Sequence, residues 1–322
     1  MVGFKFLFEI EKKPRKGLLP VEWITLGYLV LTLLLILFCY TKIQNPESML
    51  WGRGHIVVTM IALWGVYRLI PCRFTHVCRV FFQLFMLSWW YPDTYEINRI
   101  FPNLDHLFAG YEQALFGCQP ALLFSQAFTS PMFSELMHMG YGSYYFLIAI
   151  VIFFYLFCRT QEFDRTAFIV LTSFFIYYVI FIFLPVTGPQ FYYLAAGVDN
   201  IAHGVFPNVH DYFASHSEGL PIPGYADGFF YKFVASAHEA GECPTAAFPS
   251  SHVGITSILL MLAWRSRSKW LFYFILPLYT LMCFATVYIQ AHYVIDVFGG
   301  WISALIIYFG LSMLWKLRIF NK

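Results

Sequence analysis

Apolar segments of membrane-spanning length recur along this chain, and no other feature constrains its fold as strongly. Eight can be placed, at 21–40, 55–71, 77–92, 138–158, 166–185, 249–264, 270–290 and 292–316. A helical crossing needs about 20 predominantly apolar residues. The third and sixth segments are marginal by that measure, and the third is included because the topology then works on both sides of it. Only 12% of the 322 residues are charged. A soluble domain carries roughly 25%, and half that density cannot cover a water-soluble globule of this size. Lipid satisfies no backbone polar group, so the crossings must be helices or a closed barrel, and the period-two alternation of a barrel is absent. The expected fold is all-α, a polytopic membrane protein of about eight transmembrane helices. Hydrophobicity of 59% excludes disorder. A net charge of +2 on scattered basic residues argues against a nucleic-acid partner. The first apolar run is too long for a cleavable signal, and no small-residue cleavage site follows it.

Charge sets the expected direction. With the N-terminus in the cytoplasm, sixteen basic residues fall on that side, from Lys5, Lys12, Lys13, Arg15 and Lys16 through Arg68, Arg73, Arg79, Arg159 and Arg165 to Arg265, Arg267, Lys269, Lys316, Arg318 and Lys322. Only Lys42, Arg53, Arg99 and Lys232 fall on the other. Positive residues accumulate on the cytoplasmic side of membrane proteins, so both termini are expected there. The chain then reads as an N-terminal part with two accessory helices (1–76), a six-helix core (77–316) and a short tail (317–322). Two long loops, 93–137 and 186–248, lie outside the cytoplasm. In the first, Leu104, Leu107, Phe108, Tyr111 and Leu115 share a helical face. An interfacial helix lying on the bilayer accounts for that pattern, and a substrate-gating lid is the sharper alternative. Cys118 and Cys243 sit in the two outer loops, where they could pair or remain free thiols. No Cys/His zinc spacing is present, and no internal repeat marks a transporter.

Nine of the ten histidines fall at the outer side or its membrane edge. Two of these stand where a span begins. His252 ends the run Phe248-Pro249-Ser250-Ser251-His252, and His292 opens His292-Tyr293-Val294-Ile295-Asp296. Residues four apart share a helical face, so Asp296 can hold His292. Ionisable groups at membrane depth are costly and usually functional. A single His-x-x-x-Asp is a weak signal, and Ser250 or Ser251 next to His252 are also ordinary helix caps. The conjunction of the two at one membrane face is what points to a site. Its chemistry fits phosphoryl transfer: helix N-termini and the two serines for the anion, His292 as nucleophile oriented by Asp296, and His252 as proton donor to the leaving oxygen. That scheme calls for no metal and no cofactor.

The pair of motifs resembles the type 2 phosphatidic acid phosphatase superfamily, which shares its core with vanadium haloperoxidases. The resemblance implies a six-helix core, His292 as nucleophile, Asp296 as its partner, His252 as general acid and Ser250 as a phosphate ligand. Ser251 replaces the glycine of the second motif, and Thr286 replaces the arginine six before His292. The Lys/Arg-bearing first motif is absent; Leu184-Pro185-Val186-Thr187-Gly188-Pro189-Gln190 stands there instead. These departures resemble the inositol phosphorylceramide synthase branch, and Gln190, Ser251 and Thr286 are further candidate phosphate contacts on that footing. With so few outer basic residues, a singly charged phosphodiester suits the site better than a phosphomonoester of about two charges. The expected activity is transfer of a phospholipid head-group phosphate to a lipid alcohol. Water as acceptor gives a lipid phosphatase, and a transporter or a binding protein with a degenerate site are the readings of other classes. The setting expected is a bacterial inner membrane, or the Golgi or endoplasmic reticulum of a eukaryote, with the site on the non-cytoplasmic side.

Overall fold

The computed structural model describes residues 4–241 and 243–317. The basic tail at 318–322, with Arg318 and Lys322, lies outside the described residues. The described residues are 74% helical and include no strands. The α-helices run in the order α1 Pro20–Phe38, α2 Pro46–Leu69, α3 Arg73–Phe85, α4 Leu87–Asn98, α5 Asp105–Phe116, α6 Pro120–Ala127, α7 Pro131–Gly142 and α8 Tyr144–Cys158. They continue as α9 Phe163–Phe183, α10 Pro189–Ala196, α11 Val198–Ala202, α12 Phe229–Gly241, α13 Ser251–Arg265, α14 Lys269–Tyr288 and α15 Val294–Lys316. Proline opens α1, α2, α6, α7 and α10, where its missing N–H costs nothing. Ser130, Ser250 and Ser268 cap α7, α13 and α14 with their side-chain oxygens.

Among the described residues, five helices are long and apolar enough to cross a membrane: α1, α2, α9 with the short turn before it, α14 and α15. The pair α7 and α8, bent by 44°, makes a sixth if taken as one span. Its bend has a local cause, since Gly140, Gly142 and Ser143 cluster there and the Ser143 hydroxyl donates to the Gly140 carbonyl at 2.7 Å. Two of the eight expected segments fall short. The third is split into α3 and α4 at Met86, and the sixth is the 15-residue α13. The expected outer loops are also more ordered than loops: 93–137 holds α5 and α6 and the start of α7, and 186–248 holds α10, α11 and α12.

The chain divides into two compact units. One comprises the described residues of 1–97, 152–175 and 309–322. Buried ion pairs organise it. Arg79 grips Glu22 through Nε and Nη2 at 2.8 and 2.5 Å, and Arg53 grips Asp93 through Nη1 and Nη2 at 2.9 and 2.7 Å. Buried charges survive in an apolar setting only when paired in this way. Glu22 lies in the first turn of α1 and Arg79 in the middle of α3, so the start of α1 meets the midpoint of α3. Arg53, near the start of α2, meets α4 instead.

The other unit, 98–151 and 176–308, carries both motifs. Glycines let its helices close up. A Cβ on Gly300 of α15 would stand 2.8 Å from the Ser250 carbonyl, and one on Gly254 of α13 would strike the Tyr177 hydroxyl. Tyr177 in turn bonds Ser303 at 2.9 Å. These approaches draw the starts of α13 and α15 together. Around them packs a cluster that includes Val186, Tyr192, Tyr193, Ala247, Val253, Tyr293 and Val297.

Candidate active site

His252 lies in the first turn of α13. His292 lies in the link between α14 and α15, and is 3% exposed. The two imidazoles meet, with His292 Nε2 3.4 Å from His252 Nδ1. Hydrogen bonding settles which nitrogen of His292 is free. Its Nδ1 lies 2.8 Å from the Ala247 carbonyl, an acceptor only, so Nδ1 carries the proton and Nε2 carries the lone pair. Asp296 Oδ2 is also near Nδ1, at 3.4 Å, but its shorter bond, 2.8 Å, is from the Tyr293 amide. The expected orienter therefore shares that work with a backbone carbonyl nobody could assign from spacing. Asp296 Oδ1 is buried without a partner. His252 stacks on Tyr141 at 4.7 Å between centroids and meets the tilted ring of Tyr144 at 4.4 Å.

The other candidates have different placements. Ser250 is fully buried and caps α13, its Oγ accepting from the Val253 amide at 3.3 Å. Its own amide donates to the Asp296 carbonyl at 3.0 Å. Ser251 is half-buried at the first position of α13, where a helix amide has no intrahelical acceptor. Thr286 spends its hydroxyl on the Cys283 carbonyl at 3.2 Å, while its own carbonyl receives the His292 amide at 3.0 Å. Gln190 spends its side-chain amide on Leu220 at 2.8 Å, and its backbone N–H on Gln290 at 2.9 Å. Gln190 and Thr286 thus brace the backbone around the imidazole pair rather than present side chains to it. The segment that replaces the first family motif works in the same way. Val186 receives the Ala247 amide at 3.0 Å, and Gly188 packs under the Ala291 carbonyl.

Residues 107–310, which include both motifs, match the PAP2 superfamily. The chain belongs to that superfamily. It is thus an enzyme of the lipid phosphatase and phosphotransferase type, in a multi-pass membrane setting. No curated protein and no solved structure matches it.

Two carboxylates at this PAP2 site escaped the sequence reading. Asp105 and Glu112 of α5 are both fully buried. Asp105 accepts from the Thr187 amide at 2.6 Å, the Thr187 hydroxyl at 2.9 Å, the Gly188 amide at 2.8 Å, Asn103 at 2.6 Å and the Tyr293 hydroxyl at 3.1 Å. Glu112 accepts from the Val294 and Ile295 amides at 2.9 and 3.1 Å. Burial pushes both carboxyls above their ordinary range, against the pull of those donors. A signal was available. Asp105, Ala109 and Glu112 form a stripe at positions i, i+4 and i+7, opposite Leu107, Tyr111 and Leu115, which are exposed. In a chain this poor in charge, a polar stripe facing inward marks a bonded face.

Their contacts also correct one expectation. The amides that open α15 are taken by Asp296 and Glu112, so an incoming anion has only the start of α13 to meet. Cys118 and Cys243 form no disulfide in the structure. Among the described residues, no group of three or more His, Cys, Asp or Glu is placed to hold a metal ion, and no Lys or Arg bonds to Ser250, Ser251, His252, His292 or Asp296.

Proposed function

We propose that this protein is a phosphotransferase similar to inositol phosphorylceramide synthase, moving the head-group phosphate of a phospholipid onto a lipid alcohol. The carrying observation is the contact of His292 Nε2 with His252, the Nδ1 proton being held by Ala247. His292 Nε2 attacks phosphorus, an N–P bond forms, and the bond to the diacylglycerol oxygen breaks. His252 gives that oxygen its proton. The acceptor hydroxyl then attacks, the N–P bond breaks, and His252 takes the acceptor's proton. The imidazolium formed on His292 lies beside Asp296, whose second oxygen has no other partner. In-line displacement puts phosphorus between attacking and leaving atoms, so substrate entry must part the two rings. No metal enters these steps.

Scarcity of basic residues supports the diester over a phosphomonoester. Three buried carboxylates beside the site, Asp105, Glu112 and Asp296, further disfavour a dianion by like-charge repulsion. We assign catalysis to 77–316, both termini to the cytoplasm and the site to the opposite side. That orientation rests on the sixteen-to-four split of basic residues. The decisive experiment incubates purified protein with a panel of phospholipids and lipid alcohols and reads products by mass spectrometry. A head-group phosphate appearing on the alcohol supports transfer. Release of inorganic phosphate that no alcohol diverts makes the protein a phosphatase working through the same residues. No product from any lipid phosphate refutes both.

A further inference from the structure

We propose that Glu112 is a positioning residue for the nucleophile, its carboxylate fixing the turn that carries His292. The proposal rests on His292 being that nucleophile. His292 sits in the link between α14 and α15, and its main chain is tied on both sides. Behind it, its own amide bonds to Thr286 at 3.0 Å. Ahead of it, the amides of Val294 and Ile295 both bond to Glu112. These are first-turn amides of α15, which have no acceptor within their own helix. A carboxylate holding two of them makes charge-assisted bonds, roughly twice as strong as neutral ones.

The source of this cap is what separates positioning from ordinary helix capping. In the same unit α13 and α14 are capped by Ser250 and Ser268, the residues directly before them. A local serine travels with its helix and fixes nothing else. Glu112 lies 182 residues before Val294 and ties α15 to a different helix. That helix is itself anchored nearby. Two turns earlier on the same face, Asp105 holds the Thr187–Gly188 turn and the Tyr293 hydroxyl. One face of α5 therefore bridges the two backbone pieces that enclose His292. Burying an anion costs several kcal/mol before its bonds repay it, a cost that a serine cap avoids.

The structure contains its own control. Glu135 of α7 caps α12 in the same manner, accepting from the Phe230 and Tyr231 amides at 2.9 and 3.0 Å. α12 carries neither motif. The test compares Glu112→Ala, Glu112→Gln and Glu135→Ala in purified full-length protein. Steady-state kinetics and thermal unfolding are measured for each, with hydrogen exchange over 289–297. Glu112 acts through the Val294 and Ile295 amides, so Glu112→Ala should lower kcat by ~100-fold and leave KM within about twofold. Glu112→Gln should recover part of the rate, since its one carbonyl oxygen can still accept an amide. Glu135→Ala should lower the unfolding temperature comparably, with kcat within about twofold of wild type. Equal losses of kcat in Glu112→Ala and Glu135→Ala, or none in the former, overturn the proposal and leave the nucleophile standing. If the wild type turns over no lipid phosphate, the nucleophile reading fails first. Exchange then decides the remainder: amides at 293–296 that stay as protected in Glu112→Ala as in wild type remove the positioning role as well.

Discussion

Gly188→Ala should damage the site from beneath without touching a motif residue. Gly188 has φ +91° and ψ 168°, a region essentially confined to glycine, and forcing alanine there costs about 1–3 kcal/mol. The new methyl would also stand 2.6 Å from the Ala291 carbonyl oxygen and 3.2 Å from the Ala247 Cβ. Carbon and oxygen settle at about 3.3–3.6 Å, so the backbone must yield by roughly 0.7–1 Å. A flexible side chain could swing aside, but a carbonyl cannot. Both obstructing residues hold His292: Ala291 precedes it, and the Ala247 carbonyl takes its Nδ1 proton. A misplacement of about 1 Å can cost 100-fold in rate. The expected result is a loss of ~10- to 100-fold in turnover together with a lower unfolding temperature in detergent. Gly197→Ala provides the comparison. Its φ is also positive, +86°, yet its added methyl meets only Asn200, at 3.4 Å. It should lower the unfolding temperature and leave turnover near wild type. A Gly188→Ala protein with wild-type rate and stability would refute the account of how the His292 turn is supported.

His292→Ala should abolish turnover and any phosphoryl-enzyme trapped by rapid quench. Asp296→Asn should cost about 10- to 100-fold, less than loss of the nucleophile, because the Ala247 carbonyl still holds the ring and asparagine can still accept from Tyr293; unimpaired turnover in either variant contradicts its assigned role. Activity should persist in excess EDTA, and loss that added zinc restores would bring the outer histidines into the mechanism. Vanadate should inhibit competitively by adopting the five-coordinate geometry between His252 and His292, and a protein indifferent to it at millimolar concentration would argue against that geometry. A cysteine placed at Gly228 should react with an impermeant reagent in intact cells, and reaction only after permeabilisation would invert the proposed orientation.

Much of this protein was legible in one dimension because its solvent is a membrane. Lipid leaves the backbone only helix or closed barrel, and with no barrel alternation present, segment length and apolarity were enough for the all-helical class. Where they misled, the cause was local. Met86 interrupts the third segment, whereas the sixth, marginal in length from its sequence, is the 15-residue α13 between the Ser250 and Ser266 caps. The two motifs were legible for a different reason. His252, His292 and Asp296 are ionisable groups placed where such groups are costly, and that makes them conspicuous in a chain that is 12% charged.

What tertiary structure decided is how those residues are held. Spacing put Asp296 on the face of His292, but only the fold could bring in the Ala247 carbonyl, 45 residues away in sequence, as the nearer partner of Nδ1. Helix starts were expected to offer their amides to a phosphate; at α15 they are already taken by Glu112, from a helix that hydropathy assigned to the bilayer surface. Hydropathy responds to the apolar face of α5, which a membrane rewards locally and which any window along the chain can see. The carboxylates on its other face are stable only because donors from 187–188 and 293–295 converge on them, and that convergence exists nowhere in the sequence until the helices have packed.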